Sequence, residues 1–179
     1  MRIISGSHKG RRLIAPKNLP VRPTTDYAKE SLFNILTNTY NLDQITVLDL
    51  FSGTGNISFE FASRGAKAIV AVDKHHACCK YINKIAQELD FPIQTIKSEV
   101  NQFTKRHVGT YDLVFADPPY NFTDQQFEEI VLGVLSSQLL APEGTLVVEH
   151  SKHTDLSQLE HFETSRRYGG SCFSFFEKK

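Results

Sequence analysis

Val47-Leu48-Asp49-Leu50-Phe51-Ser52-Gly53-Thr54-Gly55-Asn56 runs from an apolar strand through a glycine-containing turn into the start of a helix. Gly53 and Gly55 let the backbone turn sharply and come close to a ligand. The helix beyond offers unpaired N–H groups to a carboxylate or phosphate. A dinucleotide fingerprint would carry a third glycine, and Ser58 stands in its place. Asp49, inside the strand end, is ill suited to a pyrophosphate but can pair with the ammonium of an amino-acid ligand; its plainer role is a strand-end cap.

From Ile45 onward the hydrophobic pattern alternates between strand and helix periods. Strands are expected at 45–50, 67–72, 92–97, 111–116 and 144–149, with helices at 56–64, 75–89, 99–107 and 124–138 between them. Such a run of β–α units gives a mostly parallel sheet with helices on both faces. The tail breaks the pattern. Glu160 to Tyr168 and Ser171 to Glu177, joined by Gly169-Gly170, read as a hairpin. An α/β sheet that ends in an antiparallel pair is the arrangement of class I methyltransferases.

Asp73 closes the second strand, 24 residues after Asp49. A carboxylate there is placed to accept both hydroxyls of a ribose, in NAD or in S-adenosylmethionine alike. Lys74 can lay its stem along an adenine, and Glu99 or the backbone of Val100 can face the adenine edge. Glu99 serves equally well as an acid in the first turn of a helix. Phe51 and Ser52, inside the turn, complete the expected cofactor set.

The fourth strand, Tyr111-Asp112-Leu113-Val114-Phe115-Ala116, runs straight into Asp117-Pro118-Pro119-Tyr120. A carboxylate, two prolines and an aromatic ring make a stiff, polar-tipped loop with a flat face. That set suits the exocyclic amino group of a planar base. Such an amine is a poor nucleophile because its lone pair is delocalised into the ring. Two acceptors on its hydrogens, the Asp117 carboxylate and the Pro118 carbonyl that Pro119 holds in orientation, favour pyramidal nitrogen. Tyr120 can stack on the base. The tetrapeptide leaves guanine N2 and adenine N6 both open.

The chain carries 20 basic and 20 acidic residues, so its net charge is zero. The distribution is uneven. Arg2, Lys9, Arg11, Arg12, Lys17 and Arg22 precede the first acid, Asp26. Residues 2–5 and 11–15 are β-prone around Ser7-His8-Lys9-Gly10 and read as a hairpin. Pro23 disfavours helix at Arg22. Thr24 or Thr25 can cap the helix that follows, whose apolar face runs to about Thr39. The basic arm is either a solvated surface hairpin or a phosphate-contacting surface that faces a polyanion. The expected division is an arm-and-helix extension over 1–43 and a transferase domain over 44–179.

No apolar run approaches a bilayer span, and the N-terminus lacks a signal core. Cys78, Cys79 and Cys172 show no metal-ligand spacing, and their odd number argues against a disulfide framework. The seven histidines form no ligand pattern either. A metal-free protein of the reducing cytoplasm is expected, and nothing demands more than a monomer.

Ile4-Ser5-Gly6-x-x-Lys9-Gly10-Arg11, Arg22-Pro23-Thr24-Thr25-Asp26, Glu30-x-Leu32-Phe33, the Asp49–Gly55 turn, Ser63-Arg64-Gly65-Ala66 and Asp117–Tyr120 together resemble the RsmD-type 16S ribosomal RNA (guanine-N2)-methyltransferases of bacteria. The resemblance spans nearly the whole chain. It is most specific in the Gly-x-x-Lys-Gly-Arg stretch and the Arg-Pro-Thr-Thr-Asp loop. It implies S-adenosylmethionine as donor and N2 of one guanine in 16S rRNA as acceptor, on naked RNA or in an assembling 30S subunit. Family roles then fall on Asp117 to Tyr120 for catalysis and target binding and on Asp49, Gly53, Gly55 and Asp73 for the donor, with Lys9, Arg11 and Arg12 of the hairpin and Arg22 contacting RNA or bordering the cofactor pocket. Two positions depart from the family: Lys29 stands where Arg is usual, and Glu99 where Asp or Asn is common. An adenine-N6 methyltransferase on DNA or RNA is the alternative; DNA enzymes of that type commonly carry a separate target-recognition domain. A Rossmann dehydrogenase fits less well, for want of the third glycine and of a placed hydride-transfer residue.

Overall fold

The computed structural model describes residues 1–21 and 24–178. Arg22, an expected RNA contact, therefore lies outside the described residues, as does Pro23. In chain order the elements are α1 (Asp26–Thr39), a 3-10 turn (Leu42–Gln44), β1 (Thr46–Leu50), α2 (Asn56–Ser63), β2 (Ala68–Asp73), α3 (His76–Glu88), β3 (Ile93–Lys97), α4 (Val100–Arg106), β4 (Tyr111–Ala116), α5 (Asp124–Leu135), β5 (Leu140–Ser151), β6 (Phe162–Tyr168) and β7 (Ser171–Glu177).

One seven-stranded sheet has the order β3-β2-β1-β4-β5-β7-β6. The first five strands are parallel, and β7 lies antiparallel between β5 and β6. This is the class I methyltransferase sheet. Both of its faces are covered, so successive residues of a strand enter opposite cores. Val47, Leu113 and Val147 pack with α1 and α2, while Leu48, Val114 and Val148 pack with α4 and α5. The strand order reverses between β1 and β4, which opens a crevice at the carboxyl ends of the strands.

The eight residues of α2 are all buried, Glu60 and Asn56 included. The sheet covers one side of this helix and the N-terminal arm the other. Ile3, Leu13 and Leu19 of the arm share a core with Phe59 of α2 and with Cys78, Tyr81 and Ile82 of α3. The arm is a hairpin by its hydrogen bonds, Ile3 N–H to Arg11 O at 2.9 Å and Leu13 N–H to Met1 O at 3.0 Å. Its pairing reduces to a single bridge, Arg2 with Arg12, rather than two strands. An isolated two-stranded ribbon is marginal in water, and this one is held by side chains below it. Gly6, at φ +86°, sits so close to Ser63 that a Cβ there would lie 1.8 Å from the Ser63 carbonyl oxygen.

Two boundaries differ from the sequence pattern by three residues or more. β5 begins at Leu140 instead of Thr145's neighbourhood, because a bulge absorbs Pro142-Glu143-Gly144 between the Tyr111–Leu140 and Leu113–Thr145 pairs. α5 stops at Leu135, three residues early. There Ser136 and Ser137 donate their hydroxyls to Leu132 O and Val134 O, competing with further helix.

Candidate active site

Four strands end in a carboxylate on the same side of the sheet: Asp49 on β1, Asp73 on β2, Asp117 after β4 and Glu149 on β5. All four line one cavity of about 330 Å³. Phe51, Ser52, Gly53, Lys74, Glu99, Val100, Pro118, Pro119 and Tyr120 line it too. Gly55 does not. It stands behind the wall at φ +77°, where a Cβ would meet Ile82 at 2.8 Å and Phe59 at 3.0 Å, so its role is to seat α2 against α3. Lys9, Arg11 and Arg12 are exposed on the arm, away from the cavity wall.

The β1–β2 side is a nest of backbone donors and buried acid. Ser58 donates its hydroxyl to Asp49 Oδ2 at 2.5 Å. Burial pushes the Asp49 carboxyl up to about 7, partly opposed by that hydrogen bond and reinforced by the charge of Asp73. Gly53 N–H donates to Asp73 Oδ2 at 2.9 Å, and His75 N–H reaches Oδ1 at 2.9 Å. The His75 ring also lies 2.9 Å from Oδ1, which anchors the carboxylate from outside. Asp73, His75 and Cys78 bring ligand-type atoms within 4.8 Å of one another. Burial raises the Cys78 thiol to about 12, which keeps it protonated.

The β4–β5 side holds the Asp117–Tyr120 loop. Asp117 N–H donates to Leu50 O at 3.2 Å, tying the loop to the Asp49 turn. Phe122 N–H donates to Pro119 O at 3.0 Å and closes the loop. Pro118 is buried and Pro119 exposed. The Tyr120 hydroxyl donates to Glu149 Oε1 at 3.1 Å and lies 2.9 Å from Ser171 Oγ. Burial raises the Tyr120 phenol to about 12, opposed by the Ser171 hydrogen bond and helped by the Glu149 and Asp117 charges. Tyr120 is thus a neutral ring held at its tip. Thr24 donates its hydroxyl to Glu149 Oε2 at 2.8 Å, so the loop before α1 closes the same wall. Thr25 caps α1, accepting from Ala28 N–H at 3.2 Å.

Below this wall a buried polar chain fastens the arm. Asn56 donates from Nδ2 to Thr24 O at 3.1 Å and accepts from Lys29 Nζ at 2.8 Å. Lys29 is 1% exposed and also donates to Arg2 O at 2.6 Å. Its ammonium lies 3.3 Å from Glu60, whose carboxylate accepts the N–H groups of Ile4 and Ser5 at 2.8 and 3.0 Å and Arg64 Nε at 2.8 Å. Burial lowers the Lys29 pKa, and Glu60 pulls it back up.

The profile of the family described as Conserved hypothetical protein 95 matches residues 1–177. Ribosomal RNA small subunit methyltransferase D of Haemophilus influenzae is 30% identical, over 90% of this chain and 84% of its own length. The chain belongs to the RsmD family. Among solved structures, YhhF of Escherichia coli superposes with a TM-score of 0.85 at 27% identity, covering 100% of this chain and 98% of that one. The Thermus thermophilus 16S rRNA N2 G1207 methyltransferase RsmC, solved with AdoMet and guanosine, shares the fold at 19% identity with a TM-score of 0.73, covering 90% of this chain and 45% of that one.

In this RsmD-family chain the wall residues that sequence reasoning passed over include Glu149, Asn56, Ser171 and His75, with Val21 and Phe122 beside them. Glu149 was within reach. It closes the apolar run Leu146-Val147-Val148 in the way Asp49, Asp73 and Asp117 close theirs. Asn56, Ser171 and His75 carry no local signal; only the topology brings them to the cavity.

Proposed function

We propose that the chain transfers a methyl group from S-adenosyl-L-methionine to the exocyclic N2 of a guanine in 16S ribosomal RNA. The observation that carries this reading is the union of two half-sites in one cavity, the Asp49–Asp73 nest and the Asp117–Tyr120 loop, tied by the Asp117 N–H to Leu50 O hydrogen bond. Asp49 takes the donor's ammonium, Asp73 its ribose, and Glu99 with Val100 the adenine edge. Phe51, Ser52, Gly53 and Lys74 frame the donor. Tyr120 stacks on the base. Asp117 and the Pro118 carbonyl accept the two N2 hydrogens and draw the nitrogen toward a pyramidal shape. The nitrogen lone pair attacks the sulfonium methyl in line: the N–C bond forms, the C–S bond breaks, and the neutral thioether leaves. The N2 proton passes to Asp117 or to water. The sulfonium's own charge makes its methyl electrophilic, so the step calls for no metal.

One observation favours guanine over adenine. The wall beside Tyr120 carries two carboxylates, Asp117 and Glu149. Guanine presents donors at N1 and N2 along that edge, whereas adenine presents an acceptor at N1. The enzyme is proposed to act in the cytoplasm as a monomer, on free 16S rRNA or an assembling 30S subunit. Residues 1–43 then serve as the RNA-facing extension of the transferase domain over 44–179. No helix among the described residues is long and apolar enough to cross a membrane. Mass spectrometry of rRNA nucleosides from a deletion strain tests the reading: one N2-methylguanosine of 16S rRNA should vanish. An unchanged nucleoside profile, or loss of N6-methyladenosine instead, would overturn it.

A further inference from the structure

Tyr27 is 64% exposed, one of the few large apolar side chains open to solvent. It lies in the first turn of α1, two residues beyond Thr25 on the cavity wall. Tyr168 ends β6 and pairs in register with Ser171, also on that wall. The two rings meet edge to face, with centroids 6.0 Å apart and planes at 79°. Tyr168 leans in turn on Phe173, 6.1 Å away, which fixes its place. Exposed cations flank the pair. Arg166 stands two residues back along β6 and so on the same face as Tyr168. Arg2, bridged to Arg12 of the arm, lies 3.3 Å from Asp26, the residue before Tyr27, and offsets its charge.

We propose that Tyr27 and Tyr168 form a stacking platform at the cavity mouth for an unpaired RNA base next to the target nucleotide. The proposal rests on the RNA reading above and adds a subsite to it. An enzyme that works on a base amine must take that base out of its stack, which leaves neighbouring bases without a partner. A rigid aromatic pair between basic residues is the chemistry that holds single-stranded nucleic acid: rings take base faces and cations take phosphates. The platform also continues the basic surface of the arm to the cavity, so one strand can cross both.

Tyr27→Ala, Tyr27→Phe and Arg166→Ala in the full chain test it, with 16S rRNA transcript as probe. RNA affinity is measured across a salt series, and S-adenosylmethionine affinity alongside. Tyr27→Ala should weaken RNA binding by about 5- to 150-fold, the range for one stacked base, with an unchanged salt slope. Tyr27→Phe should bind as the parent does. Arg166→Ala should lower the slope by about 0.7, one phosphate contact. Unaltered RNA affinity in Tyr27→Ala would overturn the platform, as would an equal loss of donor affinity. Failure of the functional reading looks different: the parent protein itself would leave the guanines unmethylated both in this RNA and in 30S subunits that lack the modification.

Discussion

Ser58 fills the position of the missing third glycine and donates its hydroxyl to Asp49 at 2.5 Å. The buried carboxyl it holds titrates at about 7, against an ordinary value of 3.8. An acid whose folded pKa stands above its unfolded one stabilises the fold at low pH and loses that contribution as pH rises. The unliganded protein should therefore lose stability between pH 4 and 7, by at most about 1.4 kcal/mol per pH unit. An ammonium on Asp49 selects the ionised form, so donor affinity should climb up to about pH 7 and level off above it. Calorimetric titration of S-adenosylmethionine from pH 5.5 to 8.5 checks this. Ser58→Ala removes a hydrogen bond that favours the ionised carboxylate, and should move the midpoint upward. A flat profile would separate Asp49 from the ammonium.

Asp117 and the Asp49 turn share the Asp117 N–H to Leu50 O hydrogen bond, so the loop's backbone is held whatever its side chain. Asp117→Ala should keep its thermal midpoint and donor affinity while losing methyl transfer by about 10²- to 10³-fold, the usual cost of one preorganised polar contact. Asp117→Asn keeps one acceptor oxygen and should retain more activity than Asp117→Ala. Single-turnover rates with saturating donor read the effect. Full activity in Asp117→Ala would remove this residue from the mechanism.

Glu149 receives the Tyr120 hydroxyl on one oxygen and the Thr24 hydroxyl on the other. Tyr120→Phe keeps the ring but frees its tip, so KM for RNA should rise while donor affinity stays constant. Glu149→Gln bears on base choice. 2-Aminopurine at the target keeps the N2 amine and lacks the N1 hydrogen of guanine. The parent enzyme should prefer guanine over it, and Glu149→Gln should narrow that preference. Equal loss on both substrates would leave Glu149 with a purely supporting role.

The centre of the sheet was legible because both of its faces are buried there and β1, β2, β4 and β5 read as apolar runs with a carboxylate at or near the end. Asp49, Asp73 and Asp117 were found by that rule, and all reach the cavity. Gly55 looked like a ligand-facing glycine by spacing, yet the close approach it permits is to Ile82 and Phe59. Lys29 and Glu60 stand apart by 31 positions with no shared pattern, and only the folding of the arm over α2 makes them a pair. The bulge in β5 was hidden because Pro142-Glu143-Gly144 carries the composition of a turn.

Lys9, Arg11 and Arg12 are exposed at the arm's surface. Deleting the arm would uncover Phe59 and Tyr81 and leave Glu60 short of partners, so charge removal is the cleaner probe. Lys9→Ala, Arg11→Ala and Arg12→Ala together should weaken RNA binding and lower its salt slope by about 2, at roughly 0.7 per phosphate contact. Donor affinity should not move. An unaltered slope would make the arm a solvated surface hairpin.

Lys29 and Glu60 are almost wholly enclosed, at 1% and 0% side-chain exposure. Removing one partner from a buried pair strands the other, at a cost of about 3–5 kcal/mol, whereas replacing both is often near neutral. Lys29→Met leaves Glu60 with Arg64 and the two arm N–H groups, but takes the donor from Asn56 Oδ1 and Arg2 O. It should lower stability by about 3 kcal/mol. Glu60→Gln keeps the side-chain shape and strips the charge that balances Lys29. It also weakens the hold on Ile4 and Ser5. The double variant should be more stable than the sum of the single losses requires, by 1 kcal/mol or more, on the order expected for contacting residues. Urea denaturation of the four proteins gives the coupling. Additive losses would mean that the ammonium and the carboxylate are each held by their backbone partners and that the arm is fastened without their attraction.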